Sequence, residues 1–303
     1  MTQARRVRAG RRTIEVSRPD KVLFPGDGIT KADLVDHYLR VAEVMLPHVG
    51  HRPVSLRRYP DGIRGPVFYQ KRVPNSFPDW IPRVEVRTEQ KGTQVHAVIG
   101  DRATLAYLAN QACIEPHTWL SRADDLDHPD LLVFDLDPST GDLGVVRDCA
   151  RELRDMLERA GLVPFVKTSG SKGFHVVVPL DRSADFLAVR AFARGVAGIL
   201  AGREPDRFTT EHRKAKRRGR VYLDVMRNGY GATVIPPYGV RALPGAPVAV
   251  PIGWNELGRV EPRTFTIANL ARRLARTGDP WKGMRRRARA LGDPERRLAR
   301  IRT

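Results

Sequence analysis

Apolar and polar positions change period often along this chain, and each change of period marks an element. Between residues 30 and 50, Leu34, Tyr38, Val41, Ala42, Met45 and Leu46 recur at helical spacing and predict an amphipathic helix. Thr30 with Asp33 three positions on is a capping-box start, and Pro47 and Gly50 are its expected stop. A second stripe over 145–160 ends at Gly161, and further helices are predicted over 105–112 and 186–200. Strand-like blocks fall at 13–16, 54–59, 67–71, 94–99, 131–137, 163–167, 174–178 and 221–226. Strands and helices alternate without strict βαβ regularity, and hairpins are frequent. That pattern predicts a mixed α/β fold of the α+β type, with residues 13–280 forming one catalytic unit of two lobes.

The block Leu131-Leu132-Val133-Phe134-Asp135-Leu136-Asp137 carries the first chemical signal. It reads as a buried strand, stopped by Pro138, which cannot donate to a ladder. Side chains alternate along a strand, so Asp135 and Asp137 emerge on one face, roughly 7 Å apart along it. Two carboxylates at about 4 Å repel by about 4 kcal/mol at an effective dielectric near 20. Either one of them stays protonated or a cation lies between them. All-oxygen donors favour Mg²⁺ or Mn²⁺ over zinc or copper. A pair of aspartates that only caps the following turn would have the same sequence.

Two later segments add to that pair. Ser169-Gly170-Ser171-Lys172-Gly173 joins two predicted strands, with His175 just inside the second. Its glycines allow backbone N–H groups to turn inward, and its hydroxyls and Lys172 add donors, so the loop suits a phosphate chain. It lacks the spacing of a Walker loop, and an ordinary glycine-rich hairpin is the alternative. Asp224 stands inside an apolar strand, where an unpaired acid is costly to bury. It is a natural third carboxylate for a two-metal site, with a salt bridge to one of many arginines as the alternative. Just upstream, Arg213, Lys214, Lys216, Arg217, Arg218 and Arg220 form a dense basic run.

Composition sharpens the partner class. The chain has 303 residues and a net charge of +19, and 41% of its residues are hydrophobic. Residues 1–12 carry +5 and residues 281–303 carry +7, which leaves +7 on the body. Both ends are expected to be flexible basic arms, with an amphipathic helix anchored on the body by Leu291, Leu298 and Ile301 as the alternative at the C-terminal end, and polyanions, nucleic acid first, the expected partners. An arginine-preferring genome would also raise the charge. Cys113 and Cys149 are the sole cysteines and form no Cys-x-x-Cys, so neither a disulfide framework nor a structural zinc is expected, and a reducing cytoplasm fits. No apolar stretch reaches membrane-span length, so no membrane partner is expected.

These segments together resemble the polymerase domain of bacterial ligase D, a branch of the archaeo-eukaryotic primase superfamily. The matching pieces are Asp20-Lys21-Val22-Leu23-Phe24-Pro25, Gly28-Ile29-Thr30-Lys31, Pro66-Val67-Phe68-Tyr69-Gln70-Lys71, Val133 to Pro138, Thr168 to His175, and Asp224. The resemblance implies a primase-polymerase-like fold, with Asp135, Asp137 and Asp224 as catalytic metal ligands for two Mn²⁺ or Mg²⁺. It assigns His117, Ser169, Lys172, His175 and Arg241 to the nucleoside triphosphate, beside Gly170, Ser171 and Arg57. Lys21, Lys31 and Arg58 would hold the 5′-phosphate of a downstream DNA strand, and Phe68 and Tyr69 would stack on bases. The implied reaction is template-directed nucleotidyl transfer at gapped or broken ends in repair such as non-homologous end joining, with a preference for ribonucleotides. Ku and a separate DNA ligase are the implied protein partners, in a bacterial, nucleoid-associated cytoplasmic setting.

The departures are Arg227, where the family often has Gln, and Arg57, where Lys is common. The first bears on contacts to sugar or template, and the second keeps charge while changing geometry. No Lys-x-Asp-Gly ligase signature occurs, so the chain is expected to be a stand-alone polymerase. Two other readings share some of the residues: a haloacid-dehalogenase-type phosphatase with Asp135 as nucleophile, and an end-bridging module that has lost turnover.

Overall fold

The computed structural model describes residues 4–88 and 92–302; residues 1–3, 89–91 and 303, which include the tips of both expected arms, lie outside that part. The chain forms two compact units that interleave in sequence. One comprises Met1–Asp124, Thr233–Val250 and Phe265–Asp279, and the other Asp125–Ala232, Pro251–Thr264 and Pro280–Thr303.

The first unit is built on an antiparallel sheet in the order Thr233–Val234, Cys113–Trp119, Pro53–Arg58, Gly92–Val98 and Arg83–Thr88, with Phe68–Gln70 also paired to Pro53–Arg58. Helices Lys31–Val49 and Arg102–Asn110 pack on each other beside it. The predicted stripe of the long helix is buried at Leu34, Tyr38, Val41, Ala42 and Met45, and Thr30 and Asp33 form the expected reciprocal cap. Pro47 does not stop this helix. It removes one hydrogen bond from the last turn, while the Gly50 N–H still closes on the Leu46 carbonyl at 2.8 Å. Strands Arg83–Thr88 and Cys113–Trp119 were not foreseen: the first is polar on its exposed face, and the second contains Pro116.

The N-terminal segment is not a free arm. Arg5–Ala9 and Arg12–Val16 form a hairpin through Gly10, and Val7, Ala9, Ile14 and Val16 alternate inward and are buried. Arg5 makes a two-point ion pair with Asp36 at 2.9 and 3.0 Å.

The second unit holds a six-stranded sheet in the order Phe208–Thr209, Val221–Asp224, Leu131–Asp137, Phe174–Pro179, Phe165–Thr168 and Pro251–Ile252. Only its first pair is parallel. Helices Leu143–Arg159 and Phe186–Arg203 pack against the central strands. Val146, Cys149, Ala150, Leu153, Met156 and Leu157 form the buried stripe that the sequence pattern predicted for the first of them.

The C-terminal segment also departs from the expected arm. Pro294–Arg302 is a helix packed on Phe186–Arg203, with Leu291 and Ile301 buried. A Cβ on Gly195 would meet Leu298 Cδ1 at 2.5 Å, so that glycine is what lets the two helices approach. Arg203 donates to the Ile301 carbonyl, and Arg297 donates to the carbonyls of Ala160, Ala290 and Leu291. Arg297, counted as arm charge, therefore serves as a hydrogen-bond donor that holds this segment to the unit.

Candidate active site

The central strand Leu131–Asp137 buries Leu132, Phe134 and Leu136 on one face, which leaves Asp135 and Asp137 on the other. Register then fixes their neighbours. Asp135 lies opposite His175 on one flank and opposite Asp224 on the other, and His175 lies opposite Lys167 on the next strand. Directly opposed residues share a sheet face. Asp224, Asp135, His175 and Lys167 thus form one charged row across four strands, with Asp137 two residues along from Asp135.

Within this row His175 Nε2 stands 3.3 Å from Asp135 Oδ1, and both side chains are largely buried. Burial pushes the Asp135 pKa up, but the charge and hydrogen bond of His175, with Arg227 and Lys167, pull it below the usual carboxylate range. Asp137 goes the other way. Burial, then the negative charge of Asp135, with Asp224 adding to it, raises its pKa to about 6 against the opposing charges of Arg217 and Arg227. Asp224 Oδ1 accepts from the Met226 N–H at 2.8 Å and from Tyr222 Oη at 3.3 Å. Arg227 Nε lies 3.8 Å from Asp224 Oδ2 and 4.0 Å from Asp135 Oδ2, so a guanidinium bridges the two acids. Just after it, Asn228 exchanges two hydrogen bonds with the Val133 backbone, at 2.8 and 2.7 Å, and continues the pairing where strand Val221–Asp224 ends.

Three carboxylates crowded enough to raise one of their own pKa values are a hard-oxygen donor set that suits a divalent cation. Among the described residues no three His, Cys, Asp or Glu side chains are already closed around one point. The donor chemistry fits a metal. Arg227 is the cation that faces two of the acids in this arrangement.

The loop after strand Phe165–Thr168 is more self-contained than its composition suggested. Ser169 Oγ accepts from the N–H groups of Ser171 and Gly173, each at 3.1 Å, so these two donors already have a partner inside the loop. Gly170 takes a left-handed conformation at φ +64°. Gly173 is required for a different reason: a Cβ there would lie 1.9 Å from the Leu136 carbonyl oxygen. Ser169 is buried and Lys172 exposed, so the lysine is the loop's outward cation. In the basic run, Arg217 is buried and stacks 4.0 Å from the centre of the Tyr222 ring. Arg220 donates to three carbonyls nearby. Arg213, Lys214, Lys216 and Arg218 stay exposed.

The remaining candidate residues belong to the first unit, where Arg57, His117 and Arg241 gather around an acid that the sequence reading overlooked. Glu115 is 2% exposed. Its Oε1 accepts from Arg241 Nε at 2.8 Å and from the Ala242 N–H at 3.1 Å. Its Oε2 accepts from Arg57 and from Tyr59 Oη, and His117 Nε2 lies 3.8 Å away. Burial opposes ionisation of Glu115, yet His117, Arg241 and Arg57 hold its pKa down to about 2. His117 is lowered by burial, against the pull of Glu115.

Arg58 donates to the Gln111 carbonyl at 2.9 Å and to Gln70 at 3.0 Å. Phe68 and Tyr69, each 53% exposed, stand on the adjacent short strand as an apolar surface. Lys21 pairs with Asp61 at 2.8 Å. Lys31 is buried, donates to the Ser17 carbonyl, and lies 3.1 Å from Ser17 Oγ. Burial, with Arg18 and Lys21 close by, lowers its pKa to about 8.

Glu115, Lys167 and Asn228 escaped the sequence reading. A charged residue inside a short apolar run is the signal that could have found the first two. Among the described residues no helix is long and apolar enough to cross a membrane.

Comparison with known proteins places the chain in a family. Residues 30–281 match the family described as LigD, primase-polymerase domain. The chain is 35% identical over 269 residues to the multifunctional non-homologous end joining protein LigD of Mycolicibacterium smegmatis, covering 88% of this chain and 35% of that protein. It is 36% identical over 280 residues to the LigD non-homologous end joining DNA repair protein of Mycobacterium tuberculosis, covering 89% of this chain and 37% of that one. The chain thus spans about a third of the length of these curated relatives. A solved structure of the polymerase domain from Mycobacterium tuberculosis ligase D in complex with DNA superposes with a TM-score of 0.85 at 34% identity, covering 91% of this chain and 99% of that chain. Matched in sequence and fold over nearly its whole described length, the chain belongs to the LigD primase-polymerase domain family of metal-dependent nucleotidyltransferases.

Proposed function

We propose that this chain extends or fills gapped and broken DNA ends by template-directed nucleotidyl transfer, in repair such as non-homologous end joining. The observation that carries the reading is the row Asp224–Asp135–His175 across three paired strands, with Asp137 on the same face. Asp135, Asp137 and Asp224 would hold two divalent cations, Mn²⁺ or Mg²⁺. Bound there, such cations lower the pKa of a primer 3′-hydroxyl and neutralise charge that develops on the α-phosphate.

The chain's own groups do the rest. His175 and Lys167 hold Asp135 ionised, and Lys172 with the loop 169–173 offers positive charge to a polyphosphate. Arg57, His117 and Arg241 are further ligands of the incoming nucleoside triphosphate. Positioning of this kind supplies a large part of the rate in phosphoryl transfer. Lys21, Lys31 and Arg58 would hold a 5′-phosphate, and Phe68 and Tyr69 would stack on end or template bases without reading sequence. The net charge of +19 suits a phosphate-rich partner. Preference for ribonucleotides, cooperation with Ku and a separate ligase, and a nucleoid-associated location complete the proposal.

One assay tests it against the two alternatives. Purified protein is incubated with a gapped duplex bearing a 5′-phosphate, Mn²⁺ and labelled nucleotides. Extended primer is the expected product. Phosphate release alone would support a phosphatase, and a mobility shift without product would support a bridging module.

A further inference from the structure

We propose that Glu115 is a positioning residue whose buried carboxylate sets the Arg57 and Arg241 guanidiniums as one pair for a single polyphosphate. The inference rests on the nucleotide-binding reading of those arginines and adds what orients them. Glu115 is enclosed among cationic and hydroxyl donors, and its two oxygens divide the work. Oε1 takes Arg241 Nε at 2.8 Å and the Ala242 N–H at 3.1 Å, while Oε2 takes Arg57 and, at 3.4 Å, Tyr59 Oη.

One carboxylate faces two guanidiniums. Both guanidiniums stand on side chains that reach solvent: Arg57 is 31% exposed and Arg241 is 19% exposed, against 2% for the acid. Each guanidinium has five N–H donors in a planar fork. Fixing one of them on a rigid acceptor sets the direction of the others, which is how a carboxylate can orient arginines toward a second anion.

Register makes the arrangement stiff. Arg57 lies opposite Glu115, and Ser55 lies opposite His117, on the paired strands Pro53–Arg58 and Cys113–Trp119. Arg241 comes from a separate segment, yet the same carboxylate fixes both its side chain and the backbone of its neighbour Ala242. Loss of the acid therefore should loosen two arginines at once.

The test compares the full-length parent with Glu115→Gln, Arg241→Ala and the double variant, by calorimetric titration of ATP with Mn²⁺ and by steady-state extension. Melting temperature serves as the fold control. Glu115→Gln should weaken ATP binding about tenfold, the scale of one charge-assisted hydrogen bond. KM for the nucleotide should rise by a similar factor and kcat should change less. The double variant should bind more weakly than Arg241→Ala, by less than the full factor that Glu115→Gln costs the parent, because the part of the acid's effect that runs through Arg241 is already gone and only the part through Arg57 remains.

A Glu115→Gln protein that melts like the parent and binds ATP like the parent, while Arg241→Ala is weakened, would overturn the proposal; so would additive losses in the double variant. If Arg241→Ala itself binds ATP like the parent, the nucleotide reading of the cluster fails instead. Should Glu115→Gln not fold, Glu115→Asp carries the test: it keeps the charge and withdraws it by one methylene, and parental affinity there would overturn the proposal.

Discussion

Asp137 sits two residues beyond Asp135 on the same sheet face, so burial and two neighbouring carboxylates act on it together. Its raised pKa has a definite sign for stability. An acid whose folded pKa exceeds its unfolded value costs nothing below the unfolded pKa near 4 and its full penalty above about 6. In metal-free protein, Asp137→Asn should therefore raise stability at about pH 7, by roughly 1–3 kcal/mol, and change little at about pH 4. The same substitution should remove most of the thermal stabilisation that Mn²⁺ gives the parent. Melting curves at the two pH values, with and without Mn²⁺, check both halves. The aspartates themselves were legible in the sequence, because an apolar strand interrupted twice by acid has few ordinary explanations. Glu115 and Lys167 were not, since each draws its meaning from partners on other strands. Glu115 depends on Arg241, which lies far away in sequence, and Lys167 depends on a register that places it opposite His175.

At the level of elements, the turn from Val22–Phe24 into helix Lys31–Val49 brings two lysines together. The Lys31 N–H donates to the Lys21 carbonyl at 2.9 Å, and the Lys21 charge helps to depress the Lys31 pKa. This nearness supports the proposed 5′-phosphate grip and predicts how it depends on pH. A phosphate needs Lys31 protonated, so binding is favoured below the pKa of about 8 and weakens as the pH rises through it. The affinity ratio between gapped DNA with and without a 5′-phosphate should fall between about pH 7 and pH 9.5, and Lys31→Ala should flatten that change. A ratio constant across the range would contradict the assignment. Helix periodicity and the Thr30 cap were readable in advance because both are local. Strand Cys113–Trp119 was not, because Pro116 breaks a local rule that its place in the sheet tolerates. The loop 169–173 was read rightly as glycine-dependent, but its serine closes the turn as well as offering a hydroxyl.

For the whole molecule, counting charge misjudged both ends. Five arginines in residues 1–12 read as an arm, yet alternate residues of that segment are buried in a hairpin. At the other end, Leu291 and Ile301 are fully buried and Arg297 donates to carbonyls. Burial of one such side chain contributes about 1.5–3 kcal/mol. Deletion of 285–303 should therefore lower the melting temperature by roughly 5 °C or more, a shift that a disordered arm would not produce. Such a loss would accompany any fall in salt-dependent DNA affinity, so the charge effect should be measured by substitution at the exposed Arg213, Lys214, Lys216 and Arg218 instead.

If the three aspartates on one sheet face carry nucleotidyl transfer without being required for the fold, primer extension on a gapped, 5′-phosphorylated duplex with Mn²⁺ should separate the parent from Asp135→Asn and Asp224→Asn. Extension by the parent and a loss of at least about a thousandfold in each variant are expected, as when charge stabilisation in a transition state is removed. Both variants should melt within a few degrees of the parent and bind the gapped duplex within a few fold. Near-parental extension by either variant, or no extension by a folded, DNA-binding parent, would contradict that role.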